Sequence, residues 1–206
     1  MNNDMHPARE RLASGEWCDV ADPLMGRDLE HARAVACRFN TDQSLTTDQR
    51  TDLLRDVFGS IGEGVTLSLG LWFDFGYNIH IGKGSFVNFN AVFLDGAPIV
   101  LGNDVWVGPN VTFSTPMHPL LAEERVPFSD ETGDHFYERC EPITVGDNVW
   151  IAANVTINPG VTIGEGVVIG SGSVVTKDIP ARTIAYGNPC RPVREITEAD
   201  RIGLRL

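Results

Sequence analysis

The sequence predicts a mainly β chain, a parallel β-helix of hexapeptide repeats with an N-terminal helical cap and a loop extruded from the coil. Three observations predict it. From residue 61 onward an aliphatic or aromatic anchor recurs every six positions, the residue three places after the anchor of each complete unit is Gly, Asn or Asp, and residues 1–58 lack the period. A spacing of six is neither the ~3.6 of a helix nor the ~2 of a single alternating strand, so it is not one amphipathic element repeated.

The anchors fall in four runs: Ile61, Leu67, Phe73, Ile79; then Ile81, Val87, Phe93, Ile99; then Leu101, Val107, Phe113; then Val145, Ile151, Ile157, Ile163, Ile169, Val175. Leaving out the incomplete units that begin at 79, 99 and 113, the 14 positions three places on are Gly64, Gly70, Gly76, Gly84, Asn90, Gly96, Asp104, Asn110, Asn148, Asn154, Gly160, Gly166, Gly172 and Asp178. These residue types tolerate left-handed corners. Short strands joined by such corners make a coil of about 18 residues with the anchors inside, each coil burying its apolar edge against the next. The period alone does not set the handedness of the coil.

Residues 1–58 form an expected N-terminal helical segment. The stretches 24–39 and 46–58 carry helical patterning, with Thr46 and Gln49 spaced as a capping box. Such a segment would cover the open strands at one end of the column, an aggregation hazard if bare. The β-helix is expected over 59–180. Its period fails over 114–142, a Pro-rich and charged stretch expected to be a structureless extruded loop; insertions this long are commonly functional. A tail over 181–206 leaves through AYGNPCRPVRE, whose prolines argue against regular structure, and ends in an expected short helix near 197–204.

Composition narrows the function. Hydrophobic residues make up 42% and charged residues 21% of the 206, which excludes a disordered chain, and no apolar run has the length of a membrane span. The net charge of −12 argues against general affinity for nucleic acid or anionic lipid. Cys18, Cys37, Cys140 and Cys190 show no CxxC spacing and the N-terminus is polar, so a cytoplasmic protein with reduced thiols is expected. Residues 177–206 hold six basic groups (Lys177, Arg182, Arg191, Arg194, Arg201, Arg205) against four acids, while the rest of the chain is strongly acidic. An anionic ligand belongs near that zone, unless it is an ordinary solvated tail.

His118 stands in PMHP, where the coil first breaks. An imidazole titrating near neutrality suits a general base for a hydroxyl, although a loop histidine taken alone is more often merely solvated. His80 lies in the coil and is expected on its outer wall. His135 is in the variable loop, and His6 and His31 have no supporting context. No cysteine has a histidine nearby in sequence, which disfavours a thiol nucleophile.

The coil, the HP loop, DFGYNIHIG with the NFN after it, PITVGDNVWIAANVTINPGVTIGEGVVIGSGSVVTKDIP and YGNPCRPVREI together resemble the galactoside and maltose O-acetyltransferases. RLASGEW resembles the helical segment of that family, and the likeness runs over residues 9–197. The resemblance implies a left-handed β-helix, a homotrimer with sites at subunit boundaries, and direct acetyl transfer from acetyl-CoA to a sugar hydroxyl with no metal required. It implies His118 as general base and the backbone N–H near Ala153 as oxyanion donor. For the acceptor it implies Asp74, Asn88 and Trp150, with Asp22 and Arg27 as further candidates. For acetyl-CoA it implies Ala153, Ser171 and Thr176 along a slot, and Lys177, Arg191 and Arg194 near the phosphates, where the basic zone falls. Asp74 and Asn88 also suit corners in their own right, and Phe86 and Trp72 could face a sugar ring or simply pack.

Some positions depart from the family. An acid and an arginine of the galactoside enzymes fall on Val20 and Leu29, and VPFSDETGDHF (126–136) lengthens the catalytic loop. The acceptor therefore stays open. Alternatives are the same fold acting on an antibiotic, a serine or an amino sugar, a zinc hydratase, or a structural solenoid. A zinc site needs about three convergent ligands, and only His118 and His135 have a suggestive spacing.

Overall fold

The computed structural model describes residues 7–204; His6 and Arg205 lie outside the described residues, as do the ends of the expected 1–58 and 181–206 segments. Short parallel strands stack into a three-sided column. The first face carries Ser60–Ile61, Ile79–Ile81, Ile99–Leu101, Ile143–Val145 and Thr162–Ile163. The second carries Thr66–Leu67, Phe86–Val87, Trp106–Val107, Trp150–Ile151, Val168–Ile169 and Thr183–Gly187, and the third Trp72–Phe73, Val92–Leu94, Thr112–Ser114, Thr156–Ile157 and Val174–Val175. The anchors point inward in registered stacks: Ile61, Ile81, Leu101, Val145 and Ile163 on the first face, and the stacked Phe93 and Phe113 rings, 4.7 Å apart, on the third. Burial of these rows drives the winding.

Twelve of the 14 expected corner residues have positive φ. Asp178 and Gly96 do not; at Gly96 a Cβ would lie 2.4 Å from Cys140 Sγ, so packing, not backbone angle, demands glycine there. Asn90, Asn110 and Asn154 sit above one another between the second and third faces, each amide bonded to the next at 3.1 Å.

The coil differs from the expected 18 residues. Ile61, Ile81 and Leu101 are 20 apart, and only the step from Val145 to Ile163 is 18. The two added residues always fall at the edge where the third face turns into the first, which explains the two-residue shifts between anchor runs. The extruded loop leaves from this same edge, one coil later.

Three helices precede the column: α1 (Pro7–Ala13), α2 (Pro23–Thr41) and α3 (Thr47–Arg55). The first was not expected from the sequence. Helix α2 begins earlier than expected because the Asp22 carboxylate accepts the Leu24 N–H at 2.7 Å and Pro23 starts the helix. Helix α3 has the expected capping box, Gln49 N–H to Thr46 Oγ1 at 3.3 Å and Thr46 N–H to Gln49 Oε1 at 2.9 Å, but ends at Arg55. The cap closes the column with specific bonds: Asn40 donates to Leu71 O (2.9 Å) and accepts from the Gly70 and Leu71 N–H groups. Phe58 packs edge-on against Phe73, centroids 5.0 Å apart.

The extruded loop is not structureless. It contains Pro116–Met117, a helical turn α4 (Ala122–Arg125), a hairpin of Phe128–Asp130 with Gly133–His135, and Tyr137–Cys140. Tyr137–Cys140 lies between Pro116–Met117 and Cys18–Asp19 in a small antiparallel sheet. The tail also differs from expectation. Cys190–Glu195 pairs back on Thr183–Gly187, with Pro189 after a cis bond at the turn and Pro192 where the register shifts. An outer strand tolerates a proline where no ladder N–H is needed. Beyond it lies one 3₁₀ turn, Glu198–Asp200, in place of the expected helix.

Candidate active site

The edge between the third and first faces is tied by Asp95. Its carboxylate accepts the N–H groups of Asp74 (3.0 Å), Phe75 (2.8 Å) and Gly76 (2.7 Å), and Asn78 donates to its carbonyl at 2.7 Å. Burial pushes the carboxyl up to about 7 against the pull of those donors, and the nearby Asp74 charge adds to the rise. Asp74 is thereby fixed at the knuckle of the corner. Burial raises its pKa, Arg33 opposes, and its side chain has no hydrogen-bond partner among the described residues.

His118 directly follows Pro116–Met117. Pro116 pairs with Cys140 and Met117 with Arg139, so the next position in register sets His118 opposite Glu138. The imidazole is exposed and packs at a tilt on Phe136, centroids 5.4 Å apart. Glu138 is half-buried. Burial raises its pKa; a Cys140 thiol hydrogen bond and His118 pull it down, and Asp74 pushes it up. His118, Glu138 and Asp74 thus form one electrostatic group. Sequence reasoning missed Glu138, because its pairing needs the loop register. The Cys140 thiol donates to Glu138 Oε1 at 3.4 Å and burial pushes its pKa up, so it is held protonated.

The second face bears a groove of about 670 Å³ lined by Phe86, Asn88, Trp106, Trp150, Ala153 and Ser171, among others. It follows from what the coil puts outward. Phe86, Trp106 and Trp150 stack in register as an outer aromatic ladder, and Gly108 and Ala152 beside it leave a low floor. A Cβ at Gly108 would lie 2.8 Å from the Ala152 carbonyl carbon. Asn88 Oδ1 accepts the Phe89 N–H at 2.8 Å, leaving its amide NH₂ available. The Ala153 N–H has no acceptor among the described residues.

Asn88, Trp150, Ala153 and Ser171 thus meet in one groove. Arg191 and Arg194 lie on the outer strand of the same sheet. Arg194 is already bound to Asp200 through two bonds of 2.8 and 2.6 Å, while Arg191 reaches only the Cys190 carbonyl. Thr176 and Lys177 do not join them; both are exposed just after Val174–Val175, at the third-to-first edge. Asp22, the cap of α2, lines a cleft of about 310 Å³ with Arg11, Cys18 and Asp19. Arg27 is exposed on α2. Val20 and Leu29 pack against a second apolar cluster of Leu12, Met25, Phe75 and Cys140, which accounts for their being apolar here.

His118 and Asp74 belong to the third-to-first edge, and the groove lies on the second face, bounded by the other two edges. Within one chain they are on opposite sides of the column. Among the described residues no three His, Cys, Asp or Glu side chains are grouped to hold a metal ion, and no helix is long and apolar enough to cross a membrane.

Residues 11–62 match the maltose acetyltransferase hexapeptide capping motif and residues 142–177 the bacterial transferase hexapeptide family of six repeats. The chain is 38% identical over 196 residues to galactoside O-acetyltransferase of Escherichia coli (strain K12), covering 95% of this chain and 92% of the relative. It is similar to the crystal structure of a maltose O-acetyltransferase from Clostridium difficile 630, with a TM-score of 0.85, 40% identity, and 94% of this chain and 99% of that one covered. A hexapeptide-repeat acetyltransferase from Vibrio cholerae O1 biovar eltor, complexed with acetyl coenzyme A, superposes with a TM-score of 0.81 at 35% identity over 94% of this chain and 100% of that one. Column, cap and relatives together define a hexapeptide-repeat acetyltransferase. The chain belongs to the galactoside and maltose O-acetyltransferase family.

Proposed function

We propose that the protein is a cytoplasmic homotrimeric O-acetyltransferase that moves the acetyl group of acetyl-CoA to a sugar hydroxyl at sites shared between neighbouring subunits. The observation that carries this reading is the separation of His118 from the groove. A base on one edge and an oxyanion donor on the opposite face serve one reaction only if two copies meet. Exposed aromatics on the column walls, Trp72 (47%), Trp106 (61%) and Trp150 (53%), favour assembly, and the family resemblance names a trimer.

The pantetheine arm lies along the groove of one subunit over Ala153 and Ser171, with Arg191 and Arg194 toward the phosphates and Thr176 and Lys177 supplied by the neighbour's edge. His118 takes the proton of the acceptor hydroxyl as its oxygen attacks the thioester carbonyl carbon. The Ala153 N–H holds the oxyanion. Collapse breaks the C–S bond, and the departing thiolate of CoA takes the proton back from the imidazolium. Glu138 faces the imidazole from the neighbouring strand. Asp74, unpaired at the corner, accepts hydrogen bonds from acceptor hydroxyls together with the Asn88 amide, and the Trp150 face packs on the ring. Asp22 and Arg27 flank the acceptor at its outer end. A Cys140 nucleophile is disfavoured by the thiol's protonated state.

Two substitutions test the chemistry. His118→Ala is expected to lower kcat by ~10² or more with unchanged affinity for CoA. Ala153→Pro removes the proposed oxyanion donor at a corner whose equivalent one coil below is already Pro109, so the coil should tolerate it; kcat is expected to fall ~10²–10³-fold. An active enzyme in either case, assayed by thioester cleavage against a panel of sugars, contradicts the assigned role.

A further inference from the structure

His135 lies on the hairpin of the extruded loop, and its surroundings are specific. Nδ1 lies 2.6 Å from Asp19 Oδ2, on the N-terminal strand. Nε2 lies 3.1 Å from Asp130 Oδ1 and 2.9 Å from Thr132 Oγ1, both on the hairpin. The Thr132 hydroxyl proton is engaged with Asp130 Oδ1 at 2.6 Å, so that oxygen faces the imidazole as an acceptor. Asp19 and Asp130, when ionised, are acceptors only. Three acceptors around two ring nitrogens require a hydrogen on both, so the arrangement fits an imidazolium and not a neutral ring.

The same Asp19 carboxylate continues toward the proposed base. Its Oδ1 accepts the Phe136 N–H at 3.1 Å, and the Phe136 carbonyl accepts the Val20 N–H at 2.8 Å. Phe136 is the ring on which His118 packs. We infer that protonated His135 is a positioning residue: bridging Asp19 and Asp130, it clamps the inserted hairpin to the N-terminal segment and so holds Phe136 and His118 in place. The inference rests on the assignment of His118 as base.

The charged groups that bear on His135 are Asp19 from the N-terminal strand and Asp130 from the hairpin, both negative; Arg11 and Asp22 line the cleft that Asp19 shares. The two carboxylates raise the His135 pKa; Asp130 is held low first by its Thr132 hydrogen bonds and then by His135, and Asp19, against the opposing effect of burial, by His135 with the Phe136 and Ala21 N–H groups. A raised histidine pKa makes the clamp complete at low pH and loses it as pH rises through that value. Activity should therefore fall on the alkaline side as His135 gives up its proton.

The test is the pH profile of kcat/KM for the full-length enzyme and its variants. His135→Gln should lower the maximum by about tenfold, the modest end of what misplacing a catalytic group costs, and abolish the alkaline fall. His135→Arg, permanently cationic with several donors, should restore activity and carry it to higher pH. Asp130→Asn should move the alkaline limb to lower pH. Protection of the Phe136 amide from hydrogen exchange, corrected for the intrinsic base-catalysed rise in rate, should fall over the same pH range in the wild-type enzyme, a readout independent of turnover. An unchanged alkaline limb in His135→Arg and Asp130→Asn, or a Phe136 protection factor that does not change with pH, overturns the clamp. An active His118→Ala enzyme instead overturns the assignment of the base.

Discussion

Asp95 shows how one buried carboxylate shapes an edge. It gathers three successive N–H groups into the knuckle that presents Asp74, yet burial raises its pKa to about 7. The folded value lies above the ~4 of an unfolded carboxyl, so the native state holds an extra proton between the two. Stability is therefore expected to decline from pH 5 to pH 8, read as a falling urea midpoint. Asp95→Asn should be less stable throughout, since its NH₂ opposes an N–H donor, and should lose that slope; a slope that persists assigns it elsewhere. Arg191 and Arg194 differ in the same local way. Arg194 must release Asp200 before it can meet a phosphate, and Arg191 need not. Arg191→Ala is expected to raise the acetyl-CoA KM by about tenfold, the scale of one charge-assisted contact, and Arg194→Ala by less. Equal KM values in both variants and the wild type contradict this phosphate site.

At the scale of elements, the cap is specified by bonds more than by bulk. Asn40 satisfies the exposed backbone of Gly70 and Leu71 at the column's open end. Asn40→Ala should destabilise the protein by about 1–3 kcal/mol in chemical denaturation and leave kcat/KM intact; a catalytic loss without a stability loss contradicts that role. What could be read beforehand follows the same physics. The anchors were legible because the anchor positions are apolar and twelve of the 14 corners have positive φ. The hairpin Phe128–Asp130/Gly133–His135 was not, because its residues are largely exposed and side-chain bonds hold it, so no hydrophobic alternation betrays it. Glu138 was hidden for a related reason: it meets His118 across a loop whose register no local pattern encodes. The tail strand with Pro192 was obscured by a rule that holds for inner strands and relaxes on outer ones.

At the scale of the molecule, the prism divides the chemistry. His118 and Asp74, the proposed base and acceptor carboxylate, share one edge, where the coil admits extra residues, and the groove proposed for the thioester occupies the face opposite, where aromatic and small residues stack in register. Of the residues singled out from the sequence, Asn88, Trp150, Ala153 and Ser171 share that face, while His118, Asp74, Thr176 and Lys177 share the edge. The family pattern held them together in sequence terms; the fold separates them by a column's width. The most direct measurement is subunit complementation between His118→Ala and Ala153→Pro, each nearly inactive alone. Co-assembled at random, with each site drawing its base and its groove from different copies, they should recover about a quarter of wild-type activity. Mixed assemblies as inactive as the single variants would place base and groove in one chain and contradict the shared site.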